Sequence, residues 1–334
     1  MAARIHPALP LKEEMVDLRR LAARDLEPLL QEETAAWCEG LDWDFEKSAD
    51  LVRRFVDLRA LNGSALLEQD EVIGYVYYVL EENKGLIGDL YVRHDWRTPE
   101  REDSLIEAAL DPLMTSAQVS RVECQLMMLG GGHGRRTPRA EYASTFERNF
   151  MRVDLRRARL GEGRIRRPIY IERWSDHYQD PAAHLIAVAY QGHLDSRIND
   201  QYCSIAGARR FLYNIVQYPG CGTFYRPASF AAFDAKTGRL CGISLASLVS
   251  SDCGHITQIC VSPEVRGAGV GYELLRRSLT TLAEARCRYT SLTVTSDNEG
   301  AVQLYERTGF ETIRRFRAYV WEDTGLGLQP LADR

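Results

Sequence analysis

One strand-turn-helix pattern occurs twice in this chain, and the repeat constrains the fold more than any other feature. The stretch from His255 to Leu275 reads HITQICVSPEVRGAGVGYELL. With Gly254 set against Gly85 and no gaps, Ile256 falls on Ile87, Val261 on Val92, Arg266 on Arg97, Leu274 on Leu105 and Leu279 on Leu110. A chain of 334 residues that repeats such a unit 169 positions apart is long enough for two domains, each burying its own core.

The later copy reads as a ligand site. His255 to Val261 alternates as a half-buried strand does, Ser262-Pro263-Glu264 breaks it, and Tyr272 to Ala285 carries Leu274, Leu275, Leu279 and Leu282 at helical spacing. Between them stand Arg266, Gly267, Ala268, Gly269, Val270 and Gly271. Glycines let a ligand approach the main chain, and a helix that starts immediately afterwards aims its free N–H groups and positive dipole end into the turn. The turn is an expected anion site, best suited to a phosphate or pyrophosphate. Neither the Rossmann spacing nor the P-loop Gly-Lys-Ser/Thr ending is present.

A second motif follows a strand expected over Tyr289 to Thr295. Asn298, Ala301, Leu304, Tyr305, Gly309 and Phe310 spell N-x-x-A-x-x-L-Y-x-x-x-G-F. Together with R-x-x-G-x-G, in this order, it resembles the GCN5-related N-acetyltransferase (GNAT) family, strongly over 168–325 and weakly over 14–160. The resemblance implies an α/β (α+β) chain of two tandem GNAT domains, each a mixed, splayed central sheet flanked by helices, with acyl-CoA lying in the splay. A degenerate domain is expected at 14–160 and a working acetyltransferase domain at 168–325.

In the earlier copy Glu100 stands where the later one has Gly269, and Glu102 where it has Gly271. A carboxylate about 5 Å from a phosphate costs roughly 3 kcal/mol at an effective dielectric of 20, so acyl-CoA is not expected there. The same residues explain how that helix manages without a ligand: Thr98 as cap, Pro99 in the first turn, Glu100 and Glu102 against the dipole. A further match sets FERNF, Phe146 to Phe150, against YERTGF, Tyr305 to Phe310, and puts a phenylalanine where Tyr305 has its hydroxyl. It requires an insertion, which the Gly/Arg-rich stretch Leu129 to Arg139 supplies, read as a surface loop.

Composition closes off other classes. At 45% hydrophobic, with no long apolar run and no apolar core near the N-terminus, the chain reads as a cytoplasmic protein without membrane attachment. Its eight cysteines include no C-x-x-C, so neither a metal nor a disulfide framework is expected. Net charge is -5, yet Arg135 to Arg167 holds eleven arginines against Glu141, Glu147, Asp154 and Glu162. Without interleaved aromatics this run is read as a solvated face rather than a nucleic-acid surface.

Acyl transfer to an amine needs a polarised thioester carbonyl, an uncharged amine and a proton for the departing thiolate. The resemblance assigns acetyl-CoA as donor, with no metal. Main-chain groups of Ile259, Cys260 and Val261 would hold the pantetheine and carbonyl. Arg266 and the amides of Gly267, Ala268, Gly269, Val270 and Gly271 would hold the pyrophosphate, and Asn298 would contact the donor or cap the next helix. Tyr305 matches the family's proton donor, its ordinary pKa near 10 keeping the phenol protonated; the alternative is a tyrosine that only caps the helix core. His255 is the candidate base, sharing a strand face with Thr257, Ile259 and Val261, with a structural histidine as the alternative.

The acceptor is expected to lie against about Pro181 to Gly222, where His193, Asp195 and Tyr202 are candidate substrate residues, with contributions near Tyr319 and Trp321. A small-molecule amine is favoured over a protein, on a monomer or homodimer. The rival readings are a non-catalytic acyl-CoA sensor or scaffold, and a protein N-terminal or lysine acetyltransferase.

Overall fold

The computed structural model describes residues 13–129, 135–218 and 220–322. The first twelve residues and Gly130 to Gly134 of the Gly/Arg-rich stretch lie outside these. Two compact units are present among the described residues: one holds 13–36, 49–144 and 319–322, the other 37–48 and 145–318. Two short segments therefore belong to the unit that sequence order would not give them.

The N-terminal unit comprises β1 (Glu13–Asp17), most of α1 (Ala23–Leu41) and α2 (Glu46–Asp57), β2 (Asn62–Glu68), β3 (Glu71–Glu81), β4 (Lys84–Val92), α3 (Pro99–Thr115) and β5 (Arg121–Gln125). Its sheet runs β1-β2-β3-β4-β5, antiparallel except for the β4/β5 pair. One core cluster joins Leu105, Ile106, Ala109, Leu110 and Leu113 of α3 to Val76, Ile87 and Leu90. Tyr319 and Trp321 are buried in the same cluster, with the Trp321 indole N–H donating to Pro138 O at 2.8 Å. The expectation that these two aromatics serve the acceptor site is corrected: they are core residues of the N-terminal unit.

The C-terminal unit comprises most of β6 (Ala143–Asp154), β7 (Ile169–Arg173), α4 (Gln179–Ala189), α5 (Asp195–Ile198), α6 (Ile205–Gln217), β8 (Thr223–Phe224), β9 (Phe230–Asp234), β10 (Leu240–Leu248), β11 (Cys253–Val261), α7 (Val270–Glu284), β12 (Tyr289–Thr295), α8 (Glu299–Thr308) and most of β13 (Glu311–Glu322). Its sheet order is β13-β6-β12-β11-β10-β9-β7. Leu275, Leu279 and Leu282, one stripe of α7, pack on Ile256, Leu292 and Val294, while α4 and α6 cover the opposite face, setting Leu185, Ile186 and Leu212 against Ile243 and Leu245 of β10. The sheet is thus covered on both faces.

The two units repeat each other in detail. Parallel pairing of β11 with β12 runs from Cys253↔Tyr289 to Ile256↔Leu292 and stops, although both strands continue; β4 and β5 stop likewise at Ile87↔Cys124. Each also carries an irregularity at the matching place, Thr257 being skipped between Leu245↔Gln258 and Ala246↔Ile256, and Gly88 between Tyr77↔Asp89 and Tyr78↔Ile87. The same local bulge and the same last parallel pair, at the spacing the sequence repeat gives, make the two units copies of one local architecture.

FERNF does not match YERTGF in structure. Phe146 to Phe150 lies in β6, paired to β12 through Phe150↔Thr293, whereas Tyr305 lies in α8. The five-letter likeness is between a strand and a helix. Among the described residues only a single 3-10 turn, Ala140–Tyr142, stands between β5 and β6, with no α-helix to match α8.

No helix among the described residues is long and apolar enough to cross a membrane.

Candidate active site

Beyond Ile256 and Leu292 the strands β11 and β12 part, and the glycine turn and α7 follow directly from the end of β11. Gly267 and Gly269 adopt φ of +73° and +87°, a region that only glycine enters without strain. Gly269 is the N-cap of α7 and offers no side-chain cap bond. Glu273 N already donates to Gly269 O at 3.1 Å, while the N–H groups of the residues just before it belong to the uncapped first turn. A β-carbon on Gly267 would meet nothing within 4 Å, so one side of the turn is open. This arrangement suits an anion, and the residues present fit a diphosphate.

The two turn glycines have different reasons to be glycine. A β-carbon at Gly269 would lie 2.5 Å from the carbonyl oxygen of Arg164, so here the fold itself forbids a side chain. At Gly271 the nearest atom would be Val261 Cγ1 at 3.8 Å, and the backbone is ordinary helix. Ala268 and Val270 are buried in the core beneath, and Arg266 donates from Nη2 to Ala189 O at 2.6 Å, tying the turn to the end of α4.

Asn298 caps α8, its side chain accepting from Ala301 N at 3.3 Å, and its amide lies 3.5 Å from His193 Nε2. Two helical turns further, Tyr305 is buried beside Phe310. Burial, with the Asp195 carboxylate adding to it, raises the phenol above its ordinary range.

Asp195 is the centre of a polar cluster at the end of β12. It accepts a short hydrogen bond from Thr295 and stands 3.5 Å from Arg148 of β6, which also donates to the Thr295 hydroxyl at 3.1 Å. Asp195 N donates to His193 Nδ1 at 3.1 Å, which leaves the proton of a neutral imidazole on Nε2. Tyr202 stacks on Tyr190 at 4.3 Å, and His193 meets the same Tyr190 edge-on at 5.2 Å. The three acceptor candidates from the sequence thus gather around one tyrosine. Arg148, Thr295 and Tyr190 complete the group; Arg148 carries no signal in the sequence beyond its place in a basic run.

The bulge at Thr257 corrects the reading of β11. Alternation is broken there, so Ile259 and Val261 pack with Ile256 on the α7 face, while Gln258 and Cys260 turn to the α4 face. His255 does not share a face with Ile259 and Val261. Gln258, not singled out by the sequence, is buried and donates to Tyr190 Oη at 3.0 Å, and burial pushes the Cys260 thiol up to about 12.

His255 lies where β11 and β12 are still paired, opposite Ser291, whose hydroxyl is 2.9 Å from Nδ1. It is 6% exposed, edge-on to Trp43 at 5.1 Å and stacked near Phe150 at 6.0 Å. Burial lowers its pKa to about 3. An imidazole this reluctant to take a proton has the environment of a core residue rather than of a base working near neutrality.

In the N-terminal unit the corresponding turn is filled by the protein. Thr98 caps α3 through Arg101 N, Pro99 opens the helix, and Glu100 and Glu102 stand in its first turn. Glu102 is 2% exposed, lies 3.7 Å from Arg97, the counterpart of Arg266, and forms a close ion pair with Arg135. Much of the basic run is spent in this way: Arg135 on Glu102 and Asp103, Arg139 on Glu107 and Asp111, Arg148 on Asp195, Arg152 on Asp42.

Residues 197–310 match the family described as acetyltransferase (GNAT) family. The mycothiol acetyltransferase of Mycolicibacterium smegmatis is 34% identical over 101 residues, which is 29% of this chain and about a third (34%) of that protein. The mycothiol acetyltransferase of Acidimicrobium ferrooxidans is 27% identical over 291 residues, covering 79% of this chain and 84% of that one. Among solved structures, a GCN5-related N-acetyltransferase from Sphaerobacter thermophilus superposes with a TM-score of 0.64 at 16% identity, over 94% of this chain and 97% of the other.

Proposed function

From the chain's membership of the GNAT acetyltransferase family we infer that its C-terminal unit transfers an acyl group, acetyl in the simplest case, from acyl-CoA to a primary amine of a small molecule. The observation that carries this reading is the uncapped glycine turn of α7 at the mouth of the parted β11/β12 pair, with Tyr305 on the neighbouring helix. The N–H groups of the turn would take the diphosphate, and the freed edge of β11 from Gln258 to Val261 would hold the pantetheine and thioester.

The amine nitrogen attacks the thioester carbon, the C–S bond breaks, and the sulfur leaves as a thiolate that must gain a proton or hydrogen bond. Tyr305 supplies it. Because its phenol is raised rather than lowered, its main work is a hydrogen bond to the developing charge on sulfur. The proton lost by the amine passes to solvent by way of the Asp195 cluster rather than to His255. His193, Asp195 and Tyr202 line the acceptor side, and the relatives named for mycothiol favour a small molecule over a protein.

Calorimetry with acetyl-CoA tests the reading first, with one site per chain expected. Tyr305→Phe should then lower kcat on the amine found by CoA-release screening on the order of 100-fold, the usual scale for a lost proton donor, at near-unchanged acetyl-CoA affinity. Unchanged turnover in that variant would remove Tyr305 from the chemistry, and binding without turnover on any amine would favour an acyl-CoA sensor.

A further inference from the structure

The segment that joins β6 to β7 is laid directly on the glycine turn. Tyr272 Oη donates to Gly161 O at 2.6 Å, Arg166 N donates to Ala268 O at 3.0 Å, and Gly269 keeps clear of Arg164 O. A β-carbon on Gly163 would lie 2.8 Å from the Tyr272 ring, so the segment is fitted to the first turn of α7 along its length. It carries Arg164, Arg166 and Arg167, all exposed. Five other arginines of the same basic run have carboxylate partners, Arg135, Arg139, Arg148, Arg152 and Arg156; among the described residues these three have none. The buried acid of that helical turn, Glu273, is held by Arg276 and Arg277 and does not compete for them.

We propose that Arg164, Arg166 and Arg167 bind the 3′-phosphate of the CoA donor, so that the segment joining β6 to β7 within the C-terminal unit forms part of the donor site. The inference rests on the donor reading above. The turn's amides are matched to the diphosphate, which leaves the phosphomonoester of the same ligand without a partner from α7. Three guanidiniums without carboxylate partners, on a segment whose main chain touches the turn at Arg164 and Arg166, supply one. Arginine suits the task because its planar fork donates paired hydrogen bonds to phosphate oxygens and keeps its charge at any working pH. The contact is solvent-exposed, so its strength falls as salt rises.

The test compares CoA with dephospho-CoA, which lacks only this phosphate, by calorimetry on the full-length protein and on the triple variant Arg164→Gln, Arg166→Gln, Arg167→Gln. The wild type should prefer CoA on the order of tenfold, the sum expected of three exposed charge contacts. The variant should lose that preference while binding dephospho-CoA as the wild type does, which also shows that the turn is intact. A variant that keeps the preference overturns the assignment, as does one that weakens both nucleotides equally. Failure of the wild type to bind either nucleotide would instead sink the donor reading and this inference with it.

Discussion

The two copies of the strand-turn-helix differ at the N-terminus of the helix. In the C-terminal unit α7 begins at a left-handed glycine with no side-chain cap, and its first turn is open on one side. In the N-terminal unit α3 begins with Thr98 as its cap and Pro99 in its first turn, and the Glu102 carboxylate lies between Arg97 and Arg135. Bulge, last parallel pair and helix packing are shared. A helix N-terminus has to be satisfied by something, and the contrast is between a turn that leaves this to a ligand and one that has taken it inside the protein.

The sharpest way to break the contrast is to give the open turn the closed turn's carboxylate. Gly271→Glu places an acid where Glu102 stands in the other copy, at a position with ordinary backbone and room for a side chain. Acyl-CoA affinity should fall by at least about a hundredfold, from roughly 3 kcal/mol of repulsion, with the melting temperature little changed. Gly269→Glu would be a poorer probe, because its side chain collides with Arg164 O whether or not a ligand binds. Binding that survives Gly271→Glu would mean that the donor does not use this turn.

The converse change opens the closed turn. Glu102→Ala removes one partner of a buried pair whose side chains are 2% and 4% exposed. The expected cost is about 3 kcal/mol, at the lower end for a broken buried pair because Asp103 remains with Arg135. Denaturant unfolding of the full chain should show it, and acetyl-CoA binding by the C-terminal unit should not move. A stability loss below half that size would mean that the buried Glu102–Arg135 pair contributes less than its burial implies.

Much of this was legible in the sequence. β12 spans Tyr289 to Thr295 as expected, α7 begins within two residues of its expected start, and the substitute caps of α3 are Thr98 and Pro99 as read. These features are written locally, in periodicity, glycines and cap residues. The bulge at Thr257 was not legible, because one skipped pair is set by the neighbouring strand and leaves no periodic trace; it reversed the faces of Ile259 and Val261. FERNF misled for the opposite reason, since five letters fix no pairing partner and β12 claims that segment as a strand. The crossing of residues 37–48 into the C-terminal unit, which brings Trp43 against His255, is a tertiary choice that no local window contains.

A last difference between the copies lies two residues beyond the final parallel pair. There the C-terminal unit has Gln258, donating to Tyr190, and the N-terminal unit has Asp89, buried on β4 in hydrogen-bonding reach of Glu33, which accepts from Tyr75 Oη at 2.9 Å. Burial pushes the Asp89 carboxyl up to about 6, against an ordinary value near 3.9. Between about pH 4 and pH 6 the folded protein therefore holds a proton that the unfolded chain has released, so this group's contribution falls as pH rises through that window. Asp89→Asn puts a neutral amide there, as Gln258 does, and removes the dependence. The stability difference between variant and wild type should grow by about 2 to 3 kcal/mol in the variant's favour from pH 4 to pH 7, read from urea unfolding at each pH. A difference that stays constant across the window would place the Asp89 carboxyl in a wetter setting than its burial implies, and the two copies would then differ at their turns but not at the root of the splay.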